Sequence, residues 1–145
     1  MARNQKDATY DHEMLMKDAG LVAASAAATV ATVARVQDVG NARVDARIIV
    51  DITAAEAATG DELYTVEVQV SNSATFANTV FIAAAIRLGA AATTFESAVT
   101  AVGRREIAFT NEINGVVYRY VRIFTRVVGT IATGVNYRAF AVVGA

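Results

Sequence analysis

The chain has no cysteine, no proline and no tryptophan, and His12 is its single histidine. Without cysteine there is no disulfide, no thiolate zinc site and no sulfur nucleophile. A Ser-His-Asp triad would have to draw its base from His12, in the least patterned part of the sequence. An excess of positive charge is missing too. Thirteen Lys and Arg against fourteen Asp and Glu leave a formal charge of −1, and phosphate backbones need clustered cations. No glycine-rich phosphate loop is present; Gly129 and Gly134 bracket a hairpin connection instead. A long hydrophobic run is also lacking. Residues 21–34 are apolar but short and interrupted by Ser and Thr, too little to span a membrane. Nor do they resemble a secretory leader, because Asp7, Asp11, Glu13 and Asp18 outnumber Arg3, Lys6 and Lys17 ahead of them. A soluble protein is expected. The missing proline leaves edge strands without one common guard against pairing.

What is present is alternation. The 54% hydrophobic content is inflated by alanine, about a fifth of the chain, so the strong core formers fall in the range of ordinary soluble domains. At 145 residues the chain suits one domain carrying an arm. Residues 1–29 form a distinct zone, polar to residue 18 and then small-residue-rich, which reads as an N-terminal arm, either a loose tail or a segment that orders on assembly, the second favoured. Residues 11–17 have the makings of a turn or two of helix. From residue 30 onward the pattern has period two. Val30, Thr32, Ala34 and Val36 share a face, as do Val44, Ala46, Ile48, Val50 and Ile52. Tyr64, Val66, Val68 and Val70 make the clearest strand, followed by Val80, Ile82, Ala84, Ile86 and Leu88. Residues 93–103 read as either a short helix or an edge strand. Ile107 and Phe109 alternate with charged neighbours, Asn114-Gly115 marks a tight turn, and Val135, Tyr137, Ala139, Ala141 and Val143 share the last strand's face. Seven to eight strands without a sustained helix predict an all-β domain over residues 30–145, an antiparallel β-sandwich or jelly roll.

The residues from Tyr118 to Val127 are the most pointed. Parity places Val117, Arg119, Val121, Ile123, Thr125 and Val127 on one face and Tyr118, Tyr120, Arg122, Phe124 and Arg126 on the other. Aromatics interleaved with arginines are favoured at protein–protein contacts. A single-strand nucleic-acid platform would use the same residue types, but the overall charge and nearby acids weigh against it. Catalytic constellations are thin. Glu56, Asp61 and Glu62 share a loop able to offer oxygen ligands to a hard cation, yet they lack the alternating pattern of a dedicated site and read as a solvated acidic loop. Asp45, Asp51 and Glu67, the acids that a glycosidase pair would need, are better explained as cross-strand salt-bridge partners. No cofactor is implied and an enzyme is not expected.

Three stretches together carry a family resemblance. Leu15-Met16-Lys17-Asp18-Ala19 precedes Ala/Ser/Thr-rich sequence. Glu67-Val68-Gln69-Val70-Ser71-Asn72-Ser73 leads to Phe76. Tyr118-Arg119-Tyr120-Val121-Arg122-Ile123 is followed by Gly129-Thr130, Thr133-Gly134 and a small-residue strand. In order and spacing the chain resembles the capsid cement (decoration) proteins of short-tailed double-stranded DNA bacteriophages. The resemblance implies a jelly-roll-like subunit, made in the host cytoplasm, that sits as a homotrimer on the outside of the expanded head. There it would bridge subunits of the major capsid protein against internal DNA pressure, with Tyr118, Tyr120, Arg122, Phe124 and Arg126, and Leu15 and Met16 of the arm, at its interfaces. It further implies that residues 1–29 lie extended against another chain. Neither nucleic acid nor membrane is an expected partner. A carbohydrate-binding β-sandwich with Tyr118, Tyr120 and Tyr137 as stacking platforms is the alternative, weakened by the lack of Trp; a small phage tail or connector subunit is another.

Overall fold

The computed structural model describes residues 14–89 and 102–143. Their order is β1 (Leu15–Lys17), β2 (Leu21–Val22), β3 (Ala26–Ala27), β4 (Thr29–Val30), β5 (Val33–Ala34), β6 (Gln37–Asp38), β7 (Asp45–Ala55), β8 (Leu63–Ser71), β9 (Val80–Leu88), β10 (Gly103–Thr110), β11 (Glu112–Ile113), β12 (Val116–Val117), β13 (Tyr120–Val128) and β14 (Val135–Val143). One sheet runs β1-β14-β7-β10 with β2 also on β14; the other runs β3-β13-β8-β9 with β6 also on β13. Every pairing is antiparallel. The protein is therefore an all-β structure of two sheets packed face to face, as the period-two pattern predicts.

The inward residues of both sheets form one core. In β8, Tyr64, Val66, Val68 and Val70 are fully buried, and the register with β13 sets Val121 beside Val70 and Ile123 beside Val68. From the other sheet come Ala46, Ile48, Val50 and Ile52 of β7, Ile107 and Phe109 of β10, and Val135, Tyr137, Ala139 and Ala141 of β14. Each buried Val or Ile contributes about 1.5–3 kcal/mol relative to exposure, so this interior supplies most of what holds the sheets together. One polar link crosses it. The hydroxyls of Thr125 on β13 and Tyr137 on β14 lie 2.5 Å apart, joining the two sheets through the core. A second buried polar residue, Asn111, accepts the Val44 N–H at 2.7 Å and donates to the Ala42 and Tyr118 carbonyls. It ties three segments at one end of the sandwich. The Asn114-Gly115 turn between β11 and β12 has positive φ at both residues, 53° and 79°, as the dipeptide predicts.

The arm departs from expectation. Residues 1–13 lie outside the described residues, but from Leu15 onward the segment belongs to the sandwich of its own subunit. Leu15–Lys17 pairs with β14, β2 also pairs with β14, and β3 pairs with β13. The proposed boundary at residue 29 thus falls inside the fold, and Leu15–Lys17 is strand where a helical turn was expected. Short side chains pose no obstacle, because sheet pairing uses the backbone. Side chains reinforce it: Ser25 Oγ accepts the Val127 N–H at 2.8 Å, and Asn136 Oδ1 accepts the Gly20 N–H at 3.0 Å. Lys17 is 5% exposed and donates from Nζ to the carbonyls of Asp18, Gly20 and Tyr137, with Nζ also 4.5 Å from the centre of the Tyr137 ring. Burial holds its amine below the usual lysine range, and the nearby Asp18 partly opposes this.

Two strands differ in detail. The run Val30–Val36 is a hairpin, not one strand, with Ala31 and Thr32 at φ 50° and 66°. Asp18 Oδ2 accepts the Ala31 N–H at 2.8 Å, and Thr32 Oγ1 donates to the Ala31 carbonyl at 2.6 Å, so local polar bonds override the alternation. In β9 a bulge sets Ala84 opposite Val68 but Ile82 opposite Gln69. The extra residue, Ala83, reverses parity, leaving Ile82 outward and 53% exposed while Phe81 packs inward. The ambiguous stretch from 93 lies outside the described residues up to 101.

Candidate functional interface

The outward face of the second sheet is where β13 presents its polar and aromatic residues. The strand begins at Tyr120, and residues 118–119 are irregular, so parity does not carry through from Val117. Tyr118 therefore leaves the predicted face. It packs against the core with its ring 5.2 Å from that of Phe81. Arg119, expected inward, is exposed and forks onto Asp38 at 2.9 and 2.8 Å. Its hydrogen bonds hold the Asp38 carboxyl below the ordinary aspartate range. Tyr120, Arg122, Phe124 and Arg126 do share one face, as predicted, while Val121, Ile123 and Thr125 are buried beneath.

The register with β8 sets Arg122 opposite Gln69, Phe124 opposite Glu67 and Arg126 opposite Thr65. A line of charge-assisted bonds runs across the face. Arg126 grips Glu67 through Nε and Nη2 at 2.8 and 3.2 Å, Gln69 Nε2 donates to Glu67 Oε1 at 2.8 Å, and Arg122 Nε donates to Gln69 Oε1 at 2.8 Å. Glu67 is 2% exposed although it points outward, because its neighbours roof it over. A carboxylate so desolvated is tolerated only when paired and hydrogen-bonded, as this one is. The guanidinium carbons of Arg122 and Arg126 stand 5.4 and 5.1 Å from the Phe124 ring centre. Arg122 also lies 4.2 Å from the ring of Phe76, delivered by the turn after β8 at a φ of 55°. Burial pushes its pKa down from the ordinary arginine value. Arginine and aromatic planes on a rigid sheet are suited to grip another protein surface.

Leu15 and Met16 do not join this face. Met16 is fully buried in the main core, and Leu15 packs with Ile49 and Phe140 in a small second cluster on the opposite side of the molecule. Both are structural within their own subunit: Leu15 lies opposite Phe140 and Met16 enters the core, with a register shift before Lys17. The second cluster was missed at the sequence level, although Ile49 and Phe140 are apolar at outward parity in their strands. Above Phe140, Asp51 receives Arg104 at 2.7 Å and Arg138 at 3.1 Å, the cross-strand pairing expected of that acid.

The acids of the loop are clamped by hydrogen bonds, with Glu62 buried while Asp61 stays exposed to solvent as expected. Glu56 accepts the backbone N–H groups of Ala132, Thr133 and Gly134 at 2.8–3.2 Å, Asp61 accepts the Thr130 N–H and hydroxyl, and Glu62 accepts the Thr59 and Gly60 N–H groups. Backbone bonds from Gly134 and Thr133 are the main reason Glu56 titrates below its ordinary range; bonds from the Thr59 hydroxyl lead for Asp61 and Glu62. Among the described residues, no group of three or more metal-ligating side chains is gathered. Of the three tyrosines offered as sugar platforms, Tyr137 is fully buried and Tyr118 is packed on the core. No protein-family model matches this chain, and no curated protein matches it at a significant level.

Proposed function

We propose that this protein is a non-enzymatic capsid cement protein that docks on the outer surface of an expanded phage head as a homotrimer. The observation that carries this reading is the outward face of β13 and β8, where Tyr120, Arg122, Phe124 and Arg126 are half-buried or exposed and held in place by Glu67, Gln69 and Phe76. A rigid aromatic–arginine face serves recognition, and each contact can be modest when a trimer meets a repeating lattice. The strand order supports the jelly-roll form of the reading. Counting the arm's two sheet-pairing stretches as the first two strands, the sheets run 1-8-3-6 and 2-7-4-5, a pattern of two Greek keys. Since the arm from Leu15 is seated on its own subunit, docking is assigned to sheet faces and not to arm exchange over those residues.

Undecorated expanded heads incubated with purified protein should take it up saturably, in hundreds of copies on the order set by lattice symmetry, and gain resistance to heat or chelators. A dozen copies on the order of a ring would instead indicate a connector. Tyr120→Ala and Arg122→Glu should weaken uptake with the fold intact, whereas Val121→Asp should unfold the subunit by placing a charge in the core. Absence of uptake by wild-type protein overturns the reading.

A further inference from the structure

Arg122 differs from the other arginine on its strand face. Arg126 has a carboxylate, Glu67, gripped at two points. The hydrogen bond of Arg122 comes from Nε to the neutral Gln69, and no carboxylate among the described residues lies within ion-pair distance of it. Its planar head is held between Phe76 and Phe124. Stacking and the Nε bond leave the two terminal nitrogens, the fork that matches a carboxylate, without a protein partner among the described residues.

Arg122 also lines a recess of about 440 Å³, together with Ala27, Ala34, Arg35, Val36 and Phe76. Its lining mixes small apolar side chains and Phe76 with Thr75 and the two arginines, Arg35 and Arg122. The acids nearest on the paired strands are already engaged, Glu67 by Arg126 and Asp38 by Arg119, and neither pairs with Arg122. A fork beside a recess that is partly apolar and carries two cationic side chains fits a carboxylate on a short aliphatic stem. A nucleic-acid strand would need a row of such cations along its phosphates, and the recess is a single niche.

We propose that this recess is a carboxylate-binding site that receives an aspartate or glutamate side chain of the protein surface on which the subunit docks, with Arg122 as the recognising group. Ala27 of β3 and Ala34 of β5 line it on one side, and the turn after β8 brings Phe76 to it. The occupant rests on the docking reading above, whereas the site itself does not.

The test uses N-acetyl-glutamate methylamide as probe, with the matching glutamine compound and sodium chloride at equal ionic strength as controls. In NMR titrations of the full chain, the glutamate probe should shift the Arg122 Nε–H and Ala34 amide signals saturably, and the glutamine probe should not. Arg122→Lys, which keeps the charge but loses the fork, should weaken binding by about tenfold, and Arg122→Gln should abolish the Ala34 shift. No saturable shift in the wild type, an equal response to glutamine or chloride, or an Ala34 shift unchanged in Arg122→Gln would each overturn the site. Head uptake identical for wild type and Arg122→Gln, with the probe still binding, would overturn the occupant while the site stands.

Discussion

At the residue scale, the Thr125–Tyr137 contact is the most economical point of control. It is the hydroxyl pair that bridges the two sheets inside an otherwise apolar core. Thr125→Val leaves the tyrosine hydroxyl buried without that partner, and Tyr137→Phe does the reverse. Each should lower stability by about 1–3 kcal/mol, the cost of orphaning a buried polar group. The double variant should cost less than the sum of the two, because both polar groups leave together. Denaturant midpoints of the four proteins check this; strict additivity would mean the hydroxyls are not coupled. Gly134 shows a different kind of residue constraint. A Cβ there would collide with the Val22 carbonyl, and φ is 95°, so no other residue type is accommodated without moving the arm.

At the element scale, the arm strand β1 is the part whose role changed most between sequence and structure. Met16→Ala removes a fully buried side chain from the main core and should cost about 2–5 kcal/mol. Leu21→Ala, on a 59% exposed side chain a few residues away, should change stability little. Thermal melts of the two separate a seated arm from a loose one: equal, small effects would show that Leu15–Lys17 is not part of the folded unit. The sandwich itself was legible because Val66, Val68, Val70 and Tyr137 alternate with polar residues, and Ala46, Ile48, Val50 and Ile52 keep one parity that is buried. The arm was not legible because Ala and Ser say little about packing, and its pairing depends on β13 and β14, far away in sequence. The interface was half legible. Tyr120, Arg122, Phe124 and Arg126 follow from parity, but the irregular residues 118–119 remove Tyr118, and Phe76 comes from a turn that alternation cannot place. The acids of the 53–62 loop were visible as residues but not as clamps, since the partners of Glu56 and Asp61 are backbone N–H groups on 130–134 and those of Glu62 are N–H groups of its own turn.

At the scale of the whole molecule, those clamps give the fold an acid limit. Glu56, Asp61, Glu62 and Asp51 all titrate below their ordinary values of 3.8 to 4.5 when folded. A carboxylate with a depressed folded pKa contributes stability that is complete above its unfolded pKa and is lost as pH falls through the folded one. The melting temperature should therefore be nearly flat from neutral pH down to about pH 5 and fall steeply below about pH 4. Glu56→Gln should flatten that descent by removing one titrating clamp. A melting temperature that stays level through pH 3 would show that the loop clamps do not support the fold.

The pairing of β1 and β2 with β14 also bears on how the molecule is made. During synthesis the arm emerges well before the strand that receives it, and β7, at the centre of its sheet, likewise waits for β14. Such distant partners slow folding, since a long loop must close before its contacts form. The first sheet cannot be completed while the chain is still short of Val143, so an arrested nascent chain would display Ile49, Leu15 and Met16 uncovered by their late neighbour. Strands β1 and β2 find their partner only when β14 has been made.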